Sequence, residues 1–306
     1  MWDYIARRFI IALPVLFFVI TIVFFAFQLI PGDAARMFAG EQASEEAVER
    51  IRKDMGIDRP VLEQYLLYLG RLVQGNLGTS FMTGRPVVVE IRTRFANTIQ
   101  LAIAAIIFAT VIGMSMGIIS AANRERFWDY SFSVLSLFGI SIPVFWLALM
   151  MMLVFSVRWG LLPTAGNTTW KHYLMPTFCL SVYSIAFITR MTRSSLLELL
   201  GQDFTRTARA KGLAEWVVIV RHVLRNALIP IITVVGLRFG YMLGGAVMTE
   251  TIFAWPGLGR LLVVAVAQRD IPVVQGLLLV VASTFVLINL IVDILYAVVD
   301  PRFRYQ

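Results

Sequence analysis

Residues that commonly carry out catalysis are scarce in this sequence. Its two histidines, His172 and His222, fall in different polar segments, so neither offers the other a partner in a nucleophile system. There is no HExxH or CxxC pattern, and the single cysteine, Cys179, lies inside an apolar run. These residues therefore do not favour an enzyme, a metal centre or a disulfide framework.

The three lysines exclude a nucleotide-binding P-loop in this chain. That loop requires Gly-Lys followed by Ser or Thr, because the lysine and the hydroxyl bind the phosphates and their Mg²⁺. Here Lys53, Lys171 and Lys211 are followed by an aspartate, a histidine and a glycine. If ATP drives this protein, the ATPase must be a separate chain.

Two charged residues lie deep in otherwise apolar runs. Arg238 is near the middle of one run, and Asp293 lies nearer the end of another. A charge at such a depth is costly in lipid and should face protein or a water-filled path. We therefore predict that Arg238 lines a translocation path, with Asp293 as its candidate counter-charge. A purely structural buried pair is an equal alternative.

Glycines recur every four residues in the run that contains Arg238. Gly236, Gly240 and Gly244 follow this spacing, and Gly113 and Gly117 repeat it in an earlier run. Small residues at this period allow two helix backbones to approach closely within a membrane. The pattern therefore predicts helix packing in preference to a ligand role.

The elements that must position these residues are apolar runs long enough to cross a bilayer. The 306-residue sequence is 58% hydrophobic and 15% charged, which is too apolar and too poorly charged for a soluble domain. A hydrocarbon core about 30 Å thick needs about twenty helical residues. Six runs predict an all-α integral membrane protein: Phe9–Ile30, Thr98–Ala122, Ser131–Val157, Tyr173–Thr189, Leu228–Thr249 and Gly276–Val299.

Basic residues lie between the apolar runs, which favours a role in topology over nucleic-acid binding despite the net charge of +8. With the N-terminus inside, the cytoplasmic segments hold thirteen Lys and Arg, and the two shorter outer loops hold four. The first run is too long for the apolar region of a signal peptide, so we expect it to be retained. Both termini are therefore predicted to be cytoplasmic.

The chain divides at residue 97 into a first helix with a long outer loop (1–97) and a five-helix core (98–306). In the outer loop, Ser44 is predicted to begin an amphipathic helix that Gly56 ends, and Pro60 to begin another. Both are too polar to cross a bilayer, and we expect them to lie across the mouth of the bundle. A simple cap and a docking surface are equal alternatives.

The inner loop 190–227 is the segment that most suggests a partner. A short alanine-bearing helix, a glycine break at Gly212 and a second helix predict a compact hairpin on the membrane surface. Ala208 and Ala210 keep the first helix slim enough to enter a groove on another protein.

One long motif and several shorter ones occur together in this chain. The long one reads Asp-Phe-Thr-Arg-Thr-Ala-Arg-Ala-Lys-Gly over Asp203–Gly212 and continues to Pro230. The shorter ones are Leu29–Asp33, Gly56–Pro60, Gly75–Ser80, Glu250–Gly259, Asn289 and Asp300–Arg302. In this order the chain resembles the membrane subunits of bacterial ABC importers in the peptide/nickel/opine group.

The chain also departs from the patterns that carry this resemblance. The general importer consensus has Glu-Ala-Ala in the inner loop, whereas Arg206 and Thr207 occupy the first two places here and only Ala208 and Gly212 are kept. That departure fits the peptide group better than sugar or phosphate importers. Ala34 replaces a usual proline, and Asn76 stands where aspartate is common.

The resemblance implies a type I importer permease fold with six transmembrane helices in the bacterial inner membrane. It also implies roles for two segments. The ATPase-coupling loop would comprise Asp203, Arg206, Thr207, Ala208, Arg209, Ala210, Lys211, Gly212 and Leu213. A periplasmic gate region would comprise Glu250, Pro256, Gly257 and Gly259.

The implied assembly is a heterodimer with a second, similar permease, two ATPase subunits and an external solute-binding protein. ATP and Mg would bind to the ATPase subunits, and this chain would hold no cofactor or metal. The expected solute is a di- or oligopeptide or a glutathione-like peptide, with a nickel chelate or an opine as alternatives. An ion-coupled secondary transporter is disfavoured, because the sequence has no internal repeat and only two deep charges. An intramembrane hydrolase is disfavoured too, since no nucleophile and base can be paired.

Overall fold

The computed structural model describes residues 2–29, 34–39 and 42–299, and within these ranges its regular structure is helical apart from an isolated bridge between Thr79 and Pro86. The helices in chain order are α1 (Trp2–Gln28), α2 (Ala34–Ala39), α3 (Glu45–Met55), α4 (Val61–Val73), α5 (Val87–Ala122), α6 (Phe127–Ser141), α7 (Val144–Met151), α8 (Lys171–Leu200), α9 (Asp203–Ala210), α10 (Glu215–Val217), α11 (Leu224–Ile252), α12 (Leu258–Ala267) and α13 (Ile271–Val299). Wider, π-helical turns over Met152–Arg158 and Val218–Val223 continue α7 and join α10 to α11. The predicted all-α fold is confirmed.

Among the described residues, five helices are long and apolar enough to cross a bilayer, and a bent pair adds a sixth crossing if it forms a single span. The pair is α6 with α7, bent by 99°. Near its start, Asp129 is bonded to Ser120 at the end of α5. Beyond its end, the backbone N–H of Gly166 donates to the carbonyl of Phe253, 3.1 Å away, at the far end of α11. The pair therefore runs from one end of the bundle to the other as one broken span.

The break at Pro143 corrects the prediction of one continuous helix over Ser131–Val157. Proline has no N–H to donate, and its ring collides with the preceding turn, so α6 ends at Ser141. Ile142 has φ −77° and ψ 122°, the extended conformation that residues before proline favour. The next helix begins directly after the proline, at Val144.

Two helices extend furthest beyond the apolar runs that predicted them. One is α5, which begins at Val87 rather than Thr98, and the other is α8, which continues to Leu200 rather than ending at Thr189. The first part of the predicted inner loop 190–227 is therefore helix. Apolar runs mark the segment in lipid, whereas backbone hydrogen bonds carry a helix past that segment into polar sequence.

The outer-loop helices α3 and α4 begin at the positions in the chain that the sequence predicts. The Ser44 side chain accepts a hydrogen bond from the N–H of Ala47, 3.3 Å away, and Gly56 ends α3 with a left-handed φ of 69°. The second helix, α4, follows Pro60 and packs on α1, where the hydroxyls of Tyr65 and Thr21 lie 2.6 Å apart. The contacts described for α4 thus run along the side of α1.

The bundle is tightest where α5 crosses α8. A Cβ atom built on Gly113 would lie 2.9 Å from the Cβ of Ile188, and one on Gly117 would lie 2.5 Å from the Cβ of Thr192. Real side chains do not approach so closely, so only glycine fits at both positions. The two backbones therefore pack directly against each other, as small residues at this spacing allow.

Candidate functional site

The predicted coupling loop forms a hairpin at the end of the bundle where α5 and α8 both finish. We call this the inner end, because the loop is predicted to face the cytoplasm. A turn at Gly201 and Gln202 leads from α8 into α9. The hydroxyl of Thr205, fully buried in α9, donates to the carbonyl of Leu199 in the last turn of α8, 2.9 Å away. This bond fixes the direction in which α9 leaves the bundle.

Most of the predicted coupling residues are exposed on the hairpin. Ala208 is the exception, because it is buried in an apolar cluster with Leu196 of α8 and Val218 beyond α10. Its small side chain lets α9 lie close to that cluster. The exposed members are Asp203, Arg206, Thr207, Arg209, Ala210, Lys211, Gly212 and Leu213.

Gly212 makes the turn between the two arms of the hairpin. Its φ is 76°, a conformation that favours glycine, and no atom lies within 4 Å of a Cβ built there. Arg209 and Glu215 bridge the turn with two hydrogen bonds, from Nε to Oε2 at 3.0 Å and from Nη2 to Oε1 at 2.5 Å. The hydrogen bonds to the Glu215 carboxylate raise the pKa of the Arg209 guanidinium above its ordinary value.

An ion pair with a buried aspartate anchors the inner end, and no pattern in the sequence pointed to it. Asp129 of α6 accepts two hydrogen bonds from Arg193 of α8, at 2.6 and 2.8 Å. The same carboxylate accepts from the Ser120 hydroxyl of α5 at 2.5 Å and from the backbone N–H of Glu125 at 2.9 Å. One aspartate therefore joins α5, α6 and α8 just before the hairpin begins.

Exposed apolar side chains on the hairpin were also missed by the sequence reasoning. Trp216 is 70% exposed, and Phe204 and Leu213 are partly exposed near it in the sequence. Large apolar side chains on a basic surface are typical of interaction sites. A tryptophan directly after Glu215, outside every apolar run, is the signal that could have pointed to this patch.

The predicted gate region lies at the opposite, outer end, around a buried glutamate. Glu250 is fully buried near the end of α11. Its carboxylate accepts hydrogen bonds from the Thr98 hydroxyl at 2.6 Å and from the backbone N–H groups of Gly259 and Arg260 at 2.7 and 3.2 Å. Backbone N–H groups at a helix start favour an acceptor, so Glu250 fixes the start of α12 against α5 and α11.

The segment that folds over Glu250 has no room for larger residues. A Cβ on Gly257 would collide with the Glu250 carboxylate, and one on Gly259 would lie 2.5 Å from the Cα of Val247. The carbonyl of Pro256 accepts from Asn97 at 2.9 Å, and the indole N–H of buried Trp255 donates to the Asn97 carbonyl at 3.1 Å. The predicted gate residues therefore form a closely packed clasp on the start of the membrane-spanning part of α5.

A polar cavity of about 630 Å³ lies beside this clasp at the outer end. Its lining includes Arg85, Glu90, Arg94, Asn97 and Pro256. Nearby, the buried Asp270 accepts a hydrogen bond from the Ser80 hydroxyl at 2.5 Å, which ties the outer loop to the turn before α13. The outer loop is thus fixed to the core on this side of the bundle.

Arg238 lies halfway along α11 and rests on aromatic rings. Its guanidinium carbon is 3.6 Å from the centroid of the Phe187 ring and 5.2 Å from that of Tyr183, both on α8. The Tyr241 ring, one turn further along α11, is 5.6 Å away. The side chain of Asp293, the predicted counter-charge, lies outside the described residues.

The three glycines of α11 have different neighbours. A Cβ on Gly236 would collide with Val292 of α13, and one on Gly240 would lie 2.9 Å from the Phe285 ring of the same helix. Gly244, in contrast, has nothing within 4 Å of such an atom. Two of the glycines thus lie against α13, and the third faces open space in this chain.

Comparisons with known proteins agree with this architecture. Residues 113–305 match the family described as binding-protein-dependent transport system inner membrane component, and residues 1–102 match its N-terminal counterpart. Glutathione transport system permease protein GsiC of Escherichia coli strain K12 is 43% identical over 306 residues, covering all of both chains. The protein of the same name from Pectobacterium atrosepticum is 44% identical over the same length.

Solved structures show the same fold at lower identity. An inward-facing MetNI methionine ABC transporter chain superposes with a TM-score of 0.60 at 20% identity, covering 70% of this chain and 96% of that one. An amino acid ABC transporter solved with histidines gives 0.52 at 15% identity, covering 70% and 94%.

This chain belongs to the family of inner-membrane components of binding-protein-dependent transport systems, and it is a multi-pass protein of the bacterial inner membrane. More particularly, it is an ABC importer permease of the peptide group, as the resemblance predicted. The prediction that it is not itself an enzyme is confirmed by these relatives, because ATP is hydrolysed by a separate subunit of such transporters.

Proposed function

We propose that this chain forms part of the path by which a peptide-type solute, a di- or oligopeptide or a glutathione-like peptide, crosses the inner membrane. The observation that carries this proposal is 43% identity to a glutathione permease over the whole of both chains. An extracytoplasmic binding protein delivers the solute to the outer end, beside the Glu250 clasp and the polar cavity.

The complete transporter contains a second, homologous permease and two ATPase subunits that bind ATP and Mg. An exposed stripe on α11 supports the presence of another permease or a path beside this helix. Leu237, Tyr241, Gly244 and Met248 lie on one face, and all four are exposed in the single chain. The stripe borders Arg238, and a charge at this depth requires protein or water beside it.

Closure of the ATPases acts on this chain through the hairpin that Gly212 turns. Two contacts support this route. Thr205 ties α9 to the end of α8, and Asp129 ties α8 to α5 and α6 through Arg193. A force on the hairpin therefore reaches three membrane-spanning helices as a unit, which could turn the bundle from inward- to outward-open.

Gly212→Val in the complete transporter tests this function. A β-branched residue strains the left-handed turn, so we expect the hairpin to shift and coupling to fail. ATP-dependent uptake of glutathione into proteoliposomes should fall at least tenfold. Stimulation of ATP hydrolysis by the loaded binding protein should be lost.

Gly160→Val is the matched control, because Gly160 also has a left-handed φ, 61°, with no atom within 4 Å of a Cβ, and is not among the residues that line the polar cavity. It imposes the same strain far from the hairpin and should leave uptake within twofold of the parent. Equal uptake and hydrolysis in the Gly212→Val transporter would contradict the coupling role. A parent transporter that imports no peptide would contradict the substrate class.

A further inference from the structure

Three aromatic side chains hold Arg238 at the mid-depth of the bundle. The guanidinium lies over the Phe187 ring and is flanked by Tyr183 and Tyr241, with centroid distances of 3.6, 5.2 and 5.6 Å. The Tyr241 ring in turn meets Phe285 of α13 at 6.1 Å. The cluster therefore bridges the gap between α8 and α13 on the α11 surface.

The cluster opens toward the outside of this chain. Tyr183 is 40% exposed and Tyr241 is 61% exposed, and Arg238 is partly exposed between them. Both tyrosines carry hydroxyls at the depth of the arginine. One permanent charge and two hydroxyls at mid-membrane would be costly against lipid, so this face borders water or another protein in the assembled transporter.

The position of Arg238 on α11 separates it from the contact with α13. Gly236 and Gly240 form that contact, through Val292 and Phe285. Arg238 is two residues from each glycine, which places it about 200° around the helix from Gly236. Its side chain is directed toward α8, where the aromatic rings receive it.

We propose that Arg238 binds a carboxylate group of the peptide solute as that solute crosses the membrane, and that Tyr183 and Tyr241 form the walls of this binding site. This inference rests on the proposed function and adds a recognition group to it. A guanidinium stacked on a ring keeps the N–H donors at its edge free, and these match the two oxygens of a carboxylate. Peptides carry such a group at the C-terminus, and glutathione carries two.

Contact with aromatic rings suits an arginine in a transient binding site better than an ion pair with an acidic residue would. Rings stabilise the cation through their faces without occupying its hydrogen-bond donors. An ordinary acidic partner would occupy those same donors and compete with the solute. The solute therefore meets a cation that is already positioned and still able to donate.

The test compares two solutes in the complete transporter reconstituted into proteoliposomes. One is glutathione, and the other is glutathione with both carboxyl groups converted to amides, each supplied with binding protein that calorimetry shows to be loaded. We expect Arg238→Gln to lower glutathione uptake at least tenfold and to leave uptake of the diamide within twofold of the parent. Arg158→Gln, which removes an exposed arginine remote from the cluster in sequence, should change neither.

A second measurement does not depend on the diamide. A photo-crosslinking residue, p-benzoylphenylalanine, replaces Tyr241, and the transporter is illuminated during glutathione uptake. A glutathione adduct that forms at that position, and is lost when Arg238→Gln is added, supports a binding site for the solute at Arg238.

Three results would overturn the proposal. Equal loss of both solutes would assign Arg238 to packing or to an acidic residue of a partner subunit, and equal retention would remove it from the path. The absence of any adduct would place the solute elsewhere. If the parent transporter imports no glutathione, the proposed function fails as well, and this case is distinguishable because no variant is needed to see it.

Discussion

At the scale of single residues, Asp129 is the group on which most of the inner end depends. It accepts four hydrogen bonds, from Arg193, from Ser120 and from the backbone at Glu125. Because it is almost completely buried, no water can replace a lost partner. The carboxylate thus stabilises the junction from which the hairpin at Gly212 projects.

We predict that Asp129→Asn lowers the free energy of unfolding by about 2 kcal/mol, because the amide oxygen can still accept from Arg193 but the negative charge that faces the guanidinium is lost. Thermal unfolding of the detergent-solubilised protein measures the change. Glu125→Gln is the control, since the Glu125 side chain is exposed and only its backbone N–H bonds to Asp129. Similar stabilities for the two variants would show that the pair contributes little.

A second residue-scale prediction concerns the clasp at the outer end. Glu250→Gln should destabilise the protein by about 2 kcal/mol, because one amide NH₂ group must then face the donors of Thr98, Gly259 or Arg260. Limited proteolysis should cut the segment after α11 faster in this variant. Glu63→Gln on exposed α4 supplies the comparison, and indistinguishable cleavage of both variants would remove Glu250 from this role.

These residues mark what sequence reasoning could and could not supply at this scale. Glu250 entered the prediction through a family resemblance, but nothing in the sequence placed Thr98 beside it, 152 positions away. Asp129 and Arg193 are 64 positions apart and looked like ordinary loop charges. Pairings of this kind are set by how helices pack, and a single sequence holds no direct record of them.

At the scale of elements, the glycines of α11 separate packing from open surface. Replacing a helical glycine by alanine adds about 1 kcal/mol of helix propensity where the methyl group fits. We predict that Gly236→Ala lowers the melting temperature, because Val292 occupies the space, whereas Gly244→Ala leaves it unchanged or raises it. Melting of each purified single chain measures both, and an unchanged Gly236→Ala protein would contradict the close contact with α13.

The elements also show which signals in the sequence were strong. Ser44 and Gly56 set the ends of α3 as predicted, because capping depends on neighbouring residues alone. Pro143 was equally visible, yet the run around it was taken as one helix because hydropathy measures lipid solubility and not backbone geometry. The early start of α5 was hidden for the same reason, since Val87–Asn97 contains two arginines and a glutamate.

At the scale of the whole molecule, the bent pair α6–α7 decides whether the chain crosses the membrane five or six times. In a Cys179→Ala background, we predict that Arg158→Cys reacts with an impermeant maleimide from outside the cell, and that Arg124→Cys reacts only after permeabilisation. Arg124 lies before the start of the pair and Arg158 lies at its end, and both are exposed. Labelling of both variants from the same side would make the pair a re-entrant loop and remove one crossing.

Fold and family were the features most fully predicted from the sequence. Six apolar runs, the charge bias between them and the Asp203–Gly212 motif lead to a type I importer permease, which the family match and the structural neighbours confirm. The same features of the sequence did not identify the transported solute. A binding contact such as the one proposed for Arg238 involves only a few residues, and hydropathy and charge bias carry no record of it.

The position of α1 bears on how the protein is made. Almost none of its side chains are buried, and within the membrane it packs on α13, at the other extremity of the described chain. A ribosome translates α1 well before α13, so α1 enters the bilayer long before its neighbour exists. Its apolar surface keeps α1 stable in lipid during that interval, because a bilayer solvates such a helix without contacts to other helices. Assembly of this permease therefore ends when α13 packs on a helix that was inserted early, and truncation before α13 would leave α1 in the bilayer without this contact.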